Sequence, residues 1–167
     1  TAGPIMAASD NFEILIQGKG SHAAMPHQGI DPVVVGSHMV LALQTITSRN
    51  INPQEALVVS VTQFHAGEAF NIIPDTVLLK GTCRVFDSEL QISLPDRIQC
   101  IIDGVASTFG AKAKLTYHSG YPATVNADTQ TDFCALVAKE IAGSAEGVNL
   151  TPIPSMGAED FSYMLQE

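Results

Sequence analysis

A chain of 167 residues has room for one ordinary domain, or for one small domain and part of another, with a core of its own. Its 17 acidic and 8 basic side chains leave a formal charge of −9, and no local run of Lys or Arg offsets it, which argues against nucleic acid as a partner. No apolar run is long enough to cross a bilayer as a helix, so no membrane partner is expected. Charged residues make up only 15%, against roughly 25% in an ordinary domain, so apolar surface should be covered by another domain or subunit.

Alternation opens the folded part. From Asn11 to Gln17, Phe12, Ile14 and Ile16 share one face while Asn11, Glu13 and Gln17 share the other, the pattern of a half-buried strand. Gly18, Gly20 and Ser21 then start a loop that carries His22-Ala23-Ala24-Met25-Pro26-His27. Asp31-Pro32 is a helix start, because Asp31 can cap free amides and Pro32 stands where no amide hydrogen is needed. Val35, Met39, Leu43 and Ile46 continue that helix until Asn50 and Pro53 close it.

Ala56 to Phe64 and Thr76 to Phe86 read as the second and third strands, joined through residues 65–75. A second helix carries Leu94, Ile98, Ile101, Val105 and Phe109 as its apolar stripe and stops at Gly110. Pro95 is placed in its first turn, so any helix before it should be a separate short turn. Lys112 to His118 alternates again, with Ala113, Leu115 and Tyr117 inward. The order is β-α-β-β-α-β, an α+β ferredoxin-like sandwich with a four-stranded antiparallel sheet and both helices on one face.

After Gly120-Tyr121-Pro122 the pattern changes. A helix from Asp128 or Thr129 runs through Phe133, Leu136, Val137 and Ile141 to Gly143, followed by a Pro-punctuated stretch and Ser155-Met156-Gly157-Ala158-Glu159-Asp160-Phe161. One helix and a turn cannot make a core. A boundary therefore falls near Ser119, with the sandwich over 11–118 before it and part of a missing domain over 119–167 after it. The chain's two ends look cut, and its start has neither an initiator Met nor the basic segment of a signal peptide. Cys83, Cys100 and Cys134 are dispersed and odd in number, and read as small buried hydrophobes of a reducing compartment, hence a cytoplasmic protein.

Single residues carry weak signals. His22 and His27 are wrongly spaced for two ligands on a helix face, and no His, Cys, Asp and Glu cluster has metal-ligand spacing. His22 in a Gly-rich loop is a catalytic candidate; its bland role is to cap a backbone carbonyl while Pro26-His27 shapes the turn. Asn71 is by default a turn residue. Arg84 interrupts an apolar strand, either as an edge charge or ion pair with Asp87, or as a two-pronged carboxylate clamp. Glu159-Asp160 reads as a pair of capping charges.

Together, four strings are distinctive: Gly18-Lys19-Gly20-Ser21-His22-Ala23-Ala24-Met25-Pro26-His27, Ala69-Phe70-Asn71-Ile72-Ile73-Pro74-Asp75, Gly81-Thr82-Cys83-Arg84-Val85-Phe86-Asp87, and Ser155-Met156-Gly157-Ala158-Glu159-Asp160-Phe161-Ser162-Tyr163. With Gly3-Pro4-Ile5-Met6-Ala7-Ala8-Ser9-Asp10 as a linker, they resemble the metal-dependent amidohydrolases of the aminoacylase/carboxypeptidase-like metallopeptidase family. The nearest group is that of hippurate hydrolase and the auxin–amino acid conjugate hydrolases.

The resemblance implies a homodimer formed through this lid domain, and hydrolysis of N-acyl amino acids or short peptides by two divalent metal ions, zinc or manganese, in a larger catalytic domain. It makes His22 the oxyanion contact across the dimer, Asn71 and Arg84 substrate contacts (Arg84 to a carboxylate), and Gly157 part of the substrate pocket. The family's Cys-Gly-His-Asp-type motif, its Glu-Glu pair and its two other ligand histidines are absent. The chain should therefore hold no catalytic metal and be inactive alone, with Glu159 not standing in for the general base. The alternative is a free-standing ferredoxin-like amino-acid-binding or dimerisation module, since this fold hosts many functions; the orphan segment after Asp128 weighs against it.

Overall fold

The computed structural model describes residues 1–166. In chain order its elements are β1 (Gly3–Met6), β2 (Ala8–Gln17), β3 (Ser21–His22), α1 (Pro32–Thr45), β4 (Leu57–Ala66), β5 (Ile72–Ile73), β6 (Thr76–Val85), α2 (Ser88–Phe109), β7 (Lys112–Tyr121), β8 (Thr124–Asn126) and α3 (Asp128–Ala142). The sheet runs β4-β6-β2-β7 with every neighbouring pair antiparallel. That is the strand order of the ferredoxin-like sandwich.

The alternation of β2 does what its period requires. Phe12, Ile14 and Ile16 are fully buried and meet Val77 and Leu79 of β6, Val35, Met39 and Leu43 of α1, and Leu94, Ile98 and Ile102 of α2. Asp31 caps α1 as its position suggests, its Oδ1 accepting from the Val33 N–H at 2.8 Å. Gly81 is required where it stands, since a Cβ there would lie 2.2 Å from Phe12 Cζ and 2.4 Å from the Ser60 carbonyl.

Several elements differ from their sequence reading. The first and last strands are longer, starting at Ala8 and ending at Tyr121, because Ala8 pairs with Val85 and Ser9 with Tyr121. Helix α2 is one piece from Ser88, with Pro95 inside it and no separate turn. Proline costs about 3 kcal/mol within a helix, yet three contacts hold the segment before it. Asp87 caps Leu90 N at 2.7 Å, the Gln91 amide reaches Asp10 Oδ1 at 2.9 Å, and Leu94 is fully buried. The buried line of α2 is Leu94, Ile98, Ile102 and Ala106; Ile101, Val105 and Phe109 flank it half-buried. Of the cysteines only Cys83 is buried; Cys100 and Cys134 are exposed, and all three are free. Cys100 lies two residues beyond Ile98, which turns it away from the core face of the helix.

The segment after β7 folds back on the chain start. Strand β8 pairs with β1, and Ser155 donates to the Ile5 carbonyl at 2.8 Å. Helix α3 buries no residue, and its apolar positions Phe133, Leu136 and Ile141 are exposed.

Candidate functional site

The loop after β2 is fastened to the β5–β6 junction by backbone. Gly18 N–H donates to the Asp75 carbonyl at 2.9 Å, and Gly20 N–H to Asp75 Oδ1 at 2.8 Å. Two short strands follow, with Ser21 opposite Ile73 and His22 opposite Ile72. The Ala23 N–H then donates to the Asn71 carbonyl at 2.9 Å. Sequence-distant His22 and Asn71 are thus brought into one corner, both exposed.

The imidazole of His22 does not cap a carbonyl. Its Nδ1 accepts from the Ala24 N–H at 3.1 Å, which leaves Nε2 to carry the ring proton of the neutral form. An exposed ring held at one nitrogen and donating from the other is suited to a developing oxyanion. Phe70, Ile72 and Met25 stand exposed around it, Phe70 completely.

Arg84 and Gly157 lie elsewhere. Arg84 sits opposite Ser9 and Val58 on β6, an interior strand, so it is no edge charge. Asp87 spends a carboxylate oxygen on capping α2, and among the described residues the one ion pair is Lys80–Glu13, at 2.7 Å. The Arg84 guanidinium bonds Thr82 Oγ1 and, at 2.9 Å, the Cys83 carbonyl. Gly157 is at this same end of the sheet, its carbonyl accepting from the Ala7 N–H at 2.9 Å.

The two corners are far apart. The β2 residue opposite Arg84 is Ser9, and the one opposite Thr76, beside the His22 loop, is Gln17; at strand rise that separates them by about 26 Å. One chain does not assemble the four candidates into one site. The Glu159 carboxylate accepts from the Phe161 N–H at 3.4 Å, as a capping charge does.

Among the described residues no three His, Cys, Asp or Glu side chains converge to hold a metal ion. The described residues of this chain do not fit a metal pair.

Asp10 carries a role that sequence reasoning missed, having been assigned to a linker. It is buried, and its carboxylate accepts from Gln91 Nε2, Tyr117 Oη (2.8 Å) and Gly120 N–H (2.9 Å). This ties β2, α2 and β7 together at the Arg84 end. The available signal was its place two residues before Phe12, in phase with the inward face. Burial pushes the neighbouring Cys83 thiol up to about 12 and raises Tyr117 as well.

Comparison with known proteins gives a consistent result. Residues 8–106 match the family described as the peptidase dimerisation domain of the M20 group. The chain is 40% identical over 164 residues to the N-acetyl-L-cysteine deacetylase of Bacillus subtilis, covering 98% of this chain and 38% of that protein. It is 37% identical over 164 residues to the hippurate hydrolase of Campylobacter jejuni, covering 98% and 43%. A crystal structure of a dinuclear metal-binding M20 peptidase from Bacillus subtilis superposes with a TM-score of 0.72 at 29% identity, covering 100% of this chain and 40% of that one. The chain thus spans about two fifths of the length of these relatives.

Proposed function

Since this chain belongs to the M20 peptidase family and carries its dimerisation domain, we propose that it is the lid of a homodimeric amidohydrolase acting on N-acyl amino acids or short peptides. The names of its relatives, an N-acetylcysteine deacetylase and a hippurate hydrolase, support that substrate class. In this reading residues 1–10 are the linker from an α/β catalytic domain, 11–118 form the lid, 119–167 are part of that α/β domain, and zinc or manganese ions are held by residues outside this chain. The uncovered apolar side of α3 is then covered by that domain. Three free thiols suit a cytoplasmic setting.

The observation that carries the reading is the separation of His22 and Asn71 from Arg84 and Gly157 by the length of the sheet. A substrate small enough to be an N-acyl amino acid cannot span about 26 Å of strand. Two copies can bring opposite ends together at one substrate. Arg84 and Gly157 of one protomer then hold the substrate, with the guanidinium on its carboxylate. His22 Nε2–H and the Asn71 amide of the partner donate to the oxyanion, an interaction worth a few kcal/mol when preorganised.

The test is hydrolysis of N-acetyl amino acids by the full-length protein containing this chain, alongside the chain alone. Turnover by the former only is expected. Turnover by the isolated chain contradicts the reading. A free-standing amino-acid-binding module is disfavoured by α3, which would expose Phe133, Leu136 and Ile141 for no purpose.

A further inference from the structure

The charge of this chain is sorted by the fold in a way its order along the sequence hides. The four long strands contain Lys80, Arg84, Lys112 and Lys114, half of all the basic residues, against the acids Asp10 and Glu13. Asp10 is buried on the helix side. Lys80 and Arg84 alternate with buried Val77, Leu79, Cys83 and Val85, and Lys112 and Lys114 alternate with core-packing Ala113, Leu115 and Tyr117. All four bases therefore project from the helix-free face, because successive side chains of a strand point to opposite sides. Glu13 is the sole acid of these strands on that face, and it is paired with Lys80. The remaining fifteen acidic residues lie elsewhere in the chain with four basic ones.

We infer that this open sheet face is an electropositive collecting surface for carboxylate-bearing small molecules, built chiefly by Lys112 and Lys114 at the His22 end. This rests on the proposed substrate class and adds a role distinct from the Arg84 clamp. Register supplies the geometry. Lys114 lies opposite Leu15 and Lys112 opposite Gln17, and Gln17 Nε2 donates to the carbonyl of Asp75, the residue that fastens the His22 loop. The two ammonium groups stand two residues apart on one face, and among the described residues neither is ion-paired. Further along, a shallow depression lined by Asn11, Glu13, Gln63, Lys80, Thr82 and His118 offers neutral and basic groups around the Lys80–Glu13 ion pair. In a chain otherwise acidic, a carboxylate is repelled from most of the chain's own surface and attracted here, which raises its local concentration near the His22 corner.

The experiment uses the full-length protein, wild type and Lys112→Gln/Lys114→Gln. Turnover is measured with an N-acetyl amino acid and with its carboxamide, at low and at roughly 0.3 M salt, where exposed charges are screened within a few ångströms. Loss of about five- to tenfold in kcat/KM for the carboxylate at low salt is expected, with kcat retained, the salt dependence flattened, and the carboxamide unaffected. Equal loss for both substrates, or a wild-type salt slope in the variant, overturns the inference.

A readout independent of turnover separates this from failure of the proposed activity. Titration of the same protein with N-acetylglycine, followed by amide NMR shifts, should perturb Lys112 and Lys114 at low salt and not at high salt. Unperturbed lysines overturn the collecting surface whether or not hydrolysis occurs. Reactivity of the two amines to reductive methylation gives the third arm. Open amines support the inference, and protected ones mean that an acidic protein surface covers the face, which contradicts it.

Discussion

The Ala23 N–H donates to the carbonyl of Asn71 at 2.9 Å, and this one bond closes the corner in which His22 is displayed. It continues the ladder in which His22 faces Ile72. The two loops are thereby one structural unit, and whatever disturbs one should move the other.

Asp75 is the clasp of that unit, through its Oδ1 to Gly20 and its carbonyl to Gly18. Asp75→Ala removes the side-chain bond and should cost about 1–2 kcal/mol of stability, seen as a lower denaturation midpoint with unchanged m value. Gly18→Ala is the harsher change, because a Cβ would lie 2.3 Å from the Ile30 carbonyl. Both should lower kcat of the full-length protein more than they raise KM. Unaltered kcat in both variants would contradict the role given to the loop.

Asp10 should matter for stability and not for chemistry. Asp10→Ala leaves Tyr117 Oη, Gln91 Nε2 and the Gly120 N–H without their acceptor. A loss of about 3 kcal/mol is expected, measured by chemical denaturation, with kcat retained in the folded fraction. A change below about 1 kcal/mol would show that the network is replaced by water.

Phe12 and Pro95 mark how far the residues announce this structure. Phe12 was legible, because a strand buried on one face must alternate and only one assignment of faces satisfies Phe12, Ile14 and Ile16 together. Pro95 was not, because local preference says where a helix costs least, while Gln91, through Asp10, and Leu94, through the core, decided the outcome by contacts distant in sequence. The site follows the same division. His22, Asn71, Arg84 and Gly157 were found through the strings around them, but their separation into two corners depends on strand register, which periodicity does not specify.

The thiols should separate by burial. Cys100 and Cys134 are exposed and Cys83 is buried, so an aromatic disulfide reagent near neutral pH should titrate two thiols quickly and the third only on unfolding. Three fast thiols would contradict the packing of β6 against the helices.

Alkaline pH should weaken the fold through the same residue. Burial first, and the Asp10 carboxylate after it, push the Cys83 thiol from its ordinary 9.0 up to about 12, and burial raises Tyr117 also. A raised folded-state value means that the unfolded chain releases the proton first. The contribution is therefore complete below pH 9 and is lost as pH climbs toward 12. Thermal denaturation of wild type and Cys83→Ala across that window should show a shallower alkaline decline in the variant; parallel declines would place the effect elsewhere.

The most direct measurement is complementation between two inactive variants of the full-length protein, His22→Ala and Arg84→Ala, purified as a heterodimer with distinct tags. If His22 serves the neighbouring protomer's substrate, each heterodimer holds one complete site and one doubly defective site. Close to half the wild-type activity is then predicted, from parents each reduced by about 10²-fold or more. A heterodimer no more active than its parents would place His22 and Arg84 at the same protomer's substrate, and would contradict the shared-site account.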